Sequence, residues 1–222
     1  METLKLKKNS LLISVDGGAA TGTSTAGKII SKKFKLKFLS SGLLYRYASY
    51  LLLKYRPKNR IIFLKKNFNN LRLDKLNKIN LQSPEISEKT SIIAKERKIR
   101  EILKLFQRKF STKYKKVCIE GRDIGTVILP KAHIKFFFVC NLKTAAKRRF
   151  KELKKTNPNI KFKDVKKSLK IRNYRDKSRK NSPLLKSPDA IIVDTGKLKK
   201  IPDMINKMSA IIRGKIKLKY GN

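Results

Sequence analysis

Leu11-Leu12-Ile13-Ser14-Val15-Asp16-Gly17-Gly18-Ala19-Ala20-Thr21-Gly22-Thr23-Ser24-Thr25 is the stretch that decides how this chain folds. Its first five residues form an apolar run that reads as a buried strand, and Ala26-Gly27-Lys28-Ile29-Ile30 beyond it read as the first turns of a helix. Strand, glycine-bounded loop and helix is the setting that a phosphate-binding loop requires. Gly17 and Gly22 keep the spacing of GxxxxGK[ST], and Ser24 takes its hydroxyl position. In such a loop, backbone N–H groups and the helix N-terminus surround a polyphosphate. Gly17, Gly18, Ala19, Ala20, Thr21, Gly22, Thr23, Ser24 and Thr25 are therefore the expected nucleotide cradle, with Ser24 as the ligand to the Mg²⁺ that travels with the phosphates. Thr23 stands where the motif carries lysine. The loop alone points to nucleotide binding and leaves catalysis open.

Working outward, apolar runs recur at 11–15, 36–39, 116–120, 134–140 and 190–194. Charged, helix-patterned segments at 23–34, 43–55, 85–110, 143–155 and 199–213 separate or follow them. Solid apolar strands alternating with helices predict an α/β fold, a five-stranded parallel sheet covered by helices on both faces. Residues 56–84, rich in Lys and Asn, read as an irregular insertion, and 156–188, charged and with three prolines, as a mobile lid. Lys215 to Asn222 reads as a frayed basic tail. The whole chain, 1–222, is expected to form one domain.

The charge balance is extreme, with 58 Lys and Arg against 15 Asp and Glu and a formal net charge of +43. Such a field attracts polyanions of every kind, RNA included. The lysines are spread along the chain rather than gathered in a block, so they read as a compositional background, with nonspecific RNA adhesion as its consequence and no specific nucleic-acid partner. Cys118 and Cys140 lie in apolar runs without a CxxC partner and read as buried, reduced thiols. The N-terminal lysines precede only five apolar residues, too few for a signal peptide, and no run reaches the length of a membrane span. A soluble, cytoplasmic protein is expected. The sole histidine, His133, follows Pro130 in a turn and reads as a surface residue.

Four further segments carry candidate chemistry. Tyr45 and Arg46 open a helix after the strand at 36–39, near the carboxyl edge where ligands bind in open α/β sheets. Arg122 and Asp123 follow the strand Val117-Cys118-Ile119-Glu120-Gly121 at the same edge. There the Arg fork suits phosphate and the Asp suits an amine or a metal-bound water, while a structural Arg–Asp pair closing the loop is the competing reading. Ser91 and Arg100 share one side of a single helix only approximately. Arg172, Arg175 and Arg179, at spacings of three and four, line one helical face in the proposed lid, suited to closing over phosphates.

Taken in order, GGAATGTST, SSGLLYR, SIIAKERKIR, EGRDIGTVILP, RNYRDKSRKNSPL and DAIIVDT resemble bacterial cytidylate kinases, from about Leu11 to about Asp203. EGRDIGT and the R-x-x-R-D-x-x-R run are the specific parts, and the phosphate loop is generic. The resemblance implies a P-loop kinase fold: a core at about 9–42, 112–155 and 189–213, an acceptor-binding insertion at about 43–111, and a lid at about 156–188. It implies that Arg46 and Arg122 hold the acceptor phosphate, and that Ser91, Arg100 and Asp123 read the cytosine edge. Arg172 and Asp176 would lie near the acceptor ribose, with Arg179 bridging toward the transferring phosphate and Arg175 facing the donor side. Arg122, Arg175 and Arg179 are thus the implied catalytic group.

The implied reaction is transfer of the γ-phosphoryl group of Mg-ATP to CMP or dCMP by a monomer. Three residues depart from the family pattern: Thr23 replaces lysine, Ser40 an aspartate, and Asn173 an acidic lid residue. Lysine-free loops of this kind also resemble those of some archaeal relatives. A kinase of other base specificity and a noncatalytic nucleotide or RNA binder are the alternative readings.

Overall fold

β1 (Leu11–Gly17) is buried along its whole length. In this computed structural model, which describes residues 10–155, 157–198 and 200–220 (without the side chains of 77, 78, 219 and 220), it is the middle strand of the sheet. β3 (Lys116–Gly121) lies on one side of it and β4 (Ile134–Val139) on the other, both parallel. β2 (Lys37–Ser40) adds beyond β3 and β5 (Ile191–Asp194) beyond β4, giving the order β2-β3-β1-β4-β5. The parallel sheet with helices between strands is the P-loop kinase architecture expected. Register aligns the carboxyl ends, with Asp16 opposite Gly121 and Ser40 opposite Glu120. These four positions therefore share one edge, the one from which the phosphate loop and Arg122 and Asp123 leave the sheet.

Strand alternation sends Ile13, Val15, Phe136 and Val193 to one face, where they pack on α1 (Thr23–Lys33) and α8 (Ile201–Tyr220) through Ala26, Ile30, Met204, Met208 and Ile212. Leu12, Val117 and Ile119 enter a cluster with Leu44, Ala48 and Leu51 of α2 (Ser41–Tyr55).

The helix expected over 85–110 is two helices, α4 (Pro84–Ile93) and α5 (Arg97–Lys113). Ile93 and Ile99 explain the break. Both are fully buried in one cluster, and six residues of continuous helix would turn them to different faces. Residues 56–84 are not an irregular insertion either. They form α3 (Arg60–Asn69) and a 3₁₀ turn, Leu73–Lys78, and bury Leu64, Phe68, Leu76 and Leu81 in the same cluster. The Asn59 side chain caps α3 by accepting from Ile62 N–H at 3.0 Å. Lysine-rich solvent faces conceal the Leu64–Phe68 pair in the sequence.

Within 156–188 runs α7 (Phe162–Ser178), packed on α6 (Leu142–Lys154). Val165 and Leu169 meet Ala145, Ala146 and the loop's Ala19, and Phe150 meets Phe162 edge-on at 5.8 Å. The expected frayed tail is helical instead, since α8 continues to Tyr220; residues 221 and 222 lie outside the described residues, as do 1–9 with their lysines and the expected start of the core.

Cys118 is buried, and burial pushes its thiol up to about 12. Cys140 is only half-buried, correcting the expectation of a buried thiol, because it sits at the open end of β4. His133 is likewise no free surface residue. Its Nδ1 accepts from Leu12 N–H at 2.8 Å while its own N–H donates to Leu12 O at 2.9 Å, clamping the start of β1. Among the described residues, no helix is long and apolar enough to cross a membrane.

Candidate active site

The phosphate loop leaves β1 at Gly17, where an added Cβ would lie 2.8 Å from both the carbonyl oxygen and the Cβ of Phe138. Only glycine lets β1 and β4 close this tightly. Gly22, with φ 99°, turns the chain into α1 without a side-chain cap, and the first turn holds no acid. That leaves first-turn N–H groups and a positive dipole end for an anion. Thr21 Oγ1 donates to Gly18 O at 2.9 Å within the loop. From outside, Thr195 Oγ1 donates to Thr21 O at 2.8 Å, and Arg148 donates to Thr195 Oγ1 at 3.0 Å and its O at 2.6 Å.

Glu120, at the end of β3, gathers the hydroxyls of this edge. Thr23 Oγ1 donates to its Oε2 at 3.2 Å and Ser24 Oγ to its Oε1 at 3.0 Å. Ser40 Oγ also donates to Oε1, and accepts from Leu43 N–H at 3.2 Å as the cap of α2. No sequence argument gave Glu120 a role, although an acid ending an apolar strand was a visible signal. Asp16 is a second such acid. Its carboxylate accepts from Ile124 N–H at 2.8 Å and Gly125 N–H at 2.7 Å, orienting the turn that carries Arg122 and Asp123. Burial pushes Asp16 up to about 7, against those two hydrogen bonds.

Asp123 and Arg100 form a buried ion pair. Arg179 Nη2 stands 3.8 Å from the other Asp123 oxygen and makes no hydrogen bond among the described residues. Arg179 is held by Nε donating to Ser182 O at 2.6 Å, and burial, then the nearby Arg100, lower its pKa. The Arg100 guanidinium lies over the Tyr45 ring at 5.6 Å, and burial raises the Tyr45 hydroxyl well above its ordinary value. Arg122 donates from Nε to Asp176 Oδ2 at 2.9 Å, tying β3 to α7.

Arg46 is buried and donates to Leu81 O at 2.8 Å and Ser87 Oγ at 3.0 Å; burial lowers its pKa, and the nearby Arg149 adds to this. Arg172 is pulled down to about 10 by burial and then by Arg122. Two candidates are placed elsewhere. The break between α4 and α5 puts Ser91 and Arg100 on different helices, and the Ser91 hydroxyl accepts from Arg175 at 2.9 Å. Arg175 also reaches Glu88 at 3.4 Å, so it bridges α7 to the acceptor-side helix α4 rather than facing the donor side. Neither Ser91 nor Arg175 lines the cavity described next.

One continuous cavity of about 710 Å³ runs from Gly18, Ser24 and Lys28 past Ser40 and Glu120 to Tyr45, Arg46, Arg100, Arg122, Asp123, Arg172, Asp176 and Arg179. Arg148 and Arg149, which sequence reasoning missed, line it too. A phosphate-loop end joined to a pocket rich in arginine, with Glu120, Asp123, Glu152 and Asp176 also on its wall, is a layout that can hold two phosphate-bearing ligands head to head.

The family model for cytidylate kinase matches residues 13–214. The chain belongs to the cytidylate kinase family. It is 37% identical over 212 residues to a cytidylate kinase of Clostridium botulinum, covering 90% of this chain and 97% of that one. It is 36% identical over 216 residues to a cytidylate kinase of Fusobacterium nucleatum, covering 90% and 96%. A crystal structure from Chloroflexus aurantiacus matches the fold with a TM-score of 0.51 at 15% identity, over 94% of this chain and 99% of that one. Membership of the cytidylate kinase family makes this chain a phosphotransferase.

Proposed function

We propose that the protein transfers the γ-phosphoryl group of Mg-ATP to CMP and dCMP, giving ADP and CDP or dCDP. The observation that carries this is the buried Arg100–Asp123 pair with Arg179 beside it, on the wall of a cavity that begins at the phosphate loop. Asp123 has one oxygen on Arg100 and the other only 3.8 Å from Arg179, leaving an acceptor for an exocyclic amine that uracil lacks. A site built around such a bond rejects the base that cannot make it.

The loop N–H groups and the N-terminus of α1 take the donor phosphates. Arg46 and Arg122 hold the acceptor phosphate, and Arg172 and Arg179 approach the transferring group from α7. Arginine forks placed before reaction stabilise the charge that spreads over the phosphoryl oxygens. Ser24 and Glu120, a hydroxyl and a buried carboxylate bonded together at 3.0 Å, are an oxygen donor set that fits Mg²⁺ arriving on the phosphates. Held there by Ser24 and Glu120, that ion would neutralise charge on the donor phosphates. A cytoplasmic location, where these nucleotides are found, and a monomeric state belong to the same proposal.

The test is ADP release with Mg-ATP and, separately, CMP, dCMP, UMP, AMP and GMP. Turnover with CMP well above AMP and GMP is expected. Protein that binds CMP and turns over none of the five would overturn the reading.

A further inference from the structure

Asn173 does not line the cavity, yet its Oδ1 accepts a hydrogen bond from Ala19 N–H in the phosphate loop at 3.1 Å. Gly18 makes this approach possible, since a Cβ there would lie 3.3 Å from that Oδ1. The preceding residue, Arg172, does face the cavity. One bond at position 173 therefore governs how α7 is rotated about its axis on the loop, and each residue of helix corresponds to about 100° of rotation. Val165 and Leu169 anchor the other end of α7, against Ala19, Ala145 and Ala146. Arg172 needs such support. Its buried guanidinium feels the like charges of Arg122, Arg46 and Arg149, opposed by the Asp176 carboxylate. The loop itself, Gly17 to Thr25, contains no cation, and the Thr23 hydroxyl is bonded to Glu120.

We propose that Asn173 is a positioning residue for phosphoryl transfer: its bond to Ala19 N–H registers α7 on the phosphate loop and delivers the Arg172 guanidinium to a loop without a cation of its own. The inference rests on the phosphoryl-transfer reading above. A neutral amide suits the task, because it accepts the loop N–H without placing a negative charge beside incoming phosphates.

The experiment compares the parent protein, Asn173→Ala, Thr23→Lys and the double variant, by hydrogen exchange of ligand-free protein and by turnover with Mg-ATP and CMP. In Asn173→Ala, Ala19 N–H and the α7 amides exchange about 10-fold faster while β1 and β3 amides do not change. Its kcat falls about 10-fold, as expected when a charge stabiliser is misplaced. In the double variant kcat stays within about 3-fold of Thr23→Lys, because the loop then holds its own cation. Unchanged exchange at Ala19, faster exchange with unchanged turnover, or an equal loss with and without Lys at 23 would each overturn the proposal. Failure of the underlying reading shows differently, as a parent protein that turns over no nucleoside monophosphate, and the proposal falls with it.

Discussion

Thr23 Oγ1 donates to Glu120 Oε2 at 3.2 Å while the adjacent Ser24 donates to Oε1 at 3.0 Å, so one buried carboxylate orients both hydroxyls at the start of α1. Ser40 reaches the same carboxylate from β2. Three hydroxyls thus donate to this one acid, and under the proposed reaction its charge would face the cation that the donor nucleotide brings.

Glu120→Gln keeps the size and one acceptor oxygen but removes the charge. Folding should survive, with thermal midpoints close to the parent. Turnover should fall by roughly 10²–10³, the usual cost of losing one preorganised electrostatic group. The Mg²⁺ concentration for half-maximal rate should rise at the same time. Steady-state rates across a Mg²⁺ series check this, and an unchanged Mg²⁺ dependence would remove Glu120 from the metal site.

Thr23→Lys places an ammonium within reach of Glu120 and of the donor phosphates. Turnover should hold or rise, by up to about 10-fold, since a cation is added where transferring charge develops. A fall would mean that the Thr23–Glu120 bond is itself required, and that the loop depends on hydroxyl geometry rather than merely tolerating the loss of lysine.

Much of this arrangement is legible in the sequence. The apolar run before Gly17 and the glycine spacing specify a buried strand and a phosphate loop, and the five strands follow from the same kind of run. Arg100, Asp123, Arg122, Asp176 and Arg179 do converge on one cavity. What stays hidden depends on long-range packing. Ile93 and Ile99 both demand the core, which breaks one helix into two and puts Ser91 and Arg100 on different helices. Asn173 and Arg148 act on backbone atoms of the loop and on Thr195, contacts 154 and 47 residues apart that no local pattern announces.

Asp16 gives a pH signature. Its folded-state value, near 7, exceeds its ordinary 3.8. A raised carboxyl contributes stability that is complete below the unfolded value and lost as pH rises through the folded one. Between about pH 4 and pH 7 the parent should therefore lose up to about 4 kcal/mol relative to a protein lacking this titration. Asp16→Asn should flatten that slope, whatever its absolute stability. Urea denaturation at several pH values measures it, and parallel slopes for the two proteins would show that Asp16 is not the titrating group.

Arg100 and Asp123 are both buried, so removing one partner strands the other. Arg100→Leu should cost about 3 kcal/mol, at the lower end for a broken buried pair because Arg179 stands 3.8 Å from Asp123. Asp123→Asn leaves Arg100 and Arg179 without their counter-charge, so it too should cost about 3 kcal/mol, and it should also narrow the preference for CMP over UMP, because an amide can donate to the uracil oxygen as well as accept. Denaturation midpoints and the ratio of kcat/KM for the two acceptors separate these effects.

The charge of +43 and the cavity should respond to salt in different ways. RNA held by scattered lysines releases condensed counterions, so its affinity falls with a log–log slope of about −0.7 for each phosphate neutralised on a single strand. CMP held, as proposed, by the buried Arg46 and the half-buried Arg122 inside the cavity would meet fixed forks rather than a diffuse surface field, and screening reaches such contacts much less. Raising salt from about 50 to 200 mM should remove most RNA binding by a protein that engages several phosphates, while CMP affinity drops only a few-fold. Fluorescence anisotropy with a labelled single-stranded RNA and calorimetry with CMP provide the two slopes. RNA affinity that persists through this range would point to desolvated contacts on the protein surface and would revive the nucleic-acid-binding alternative.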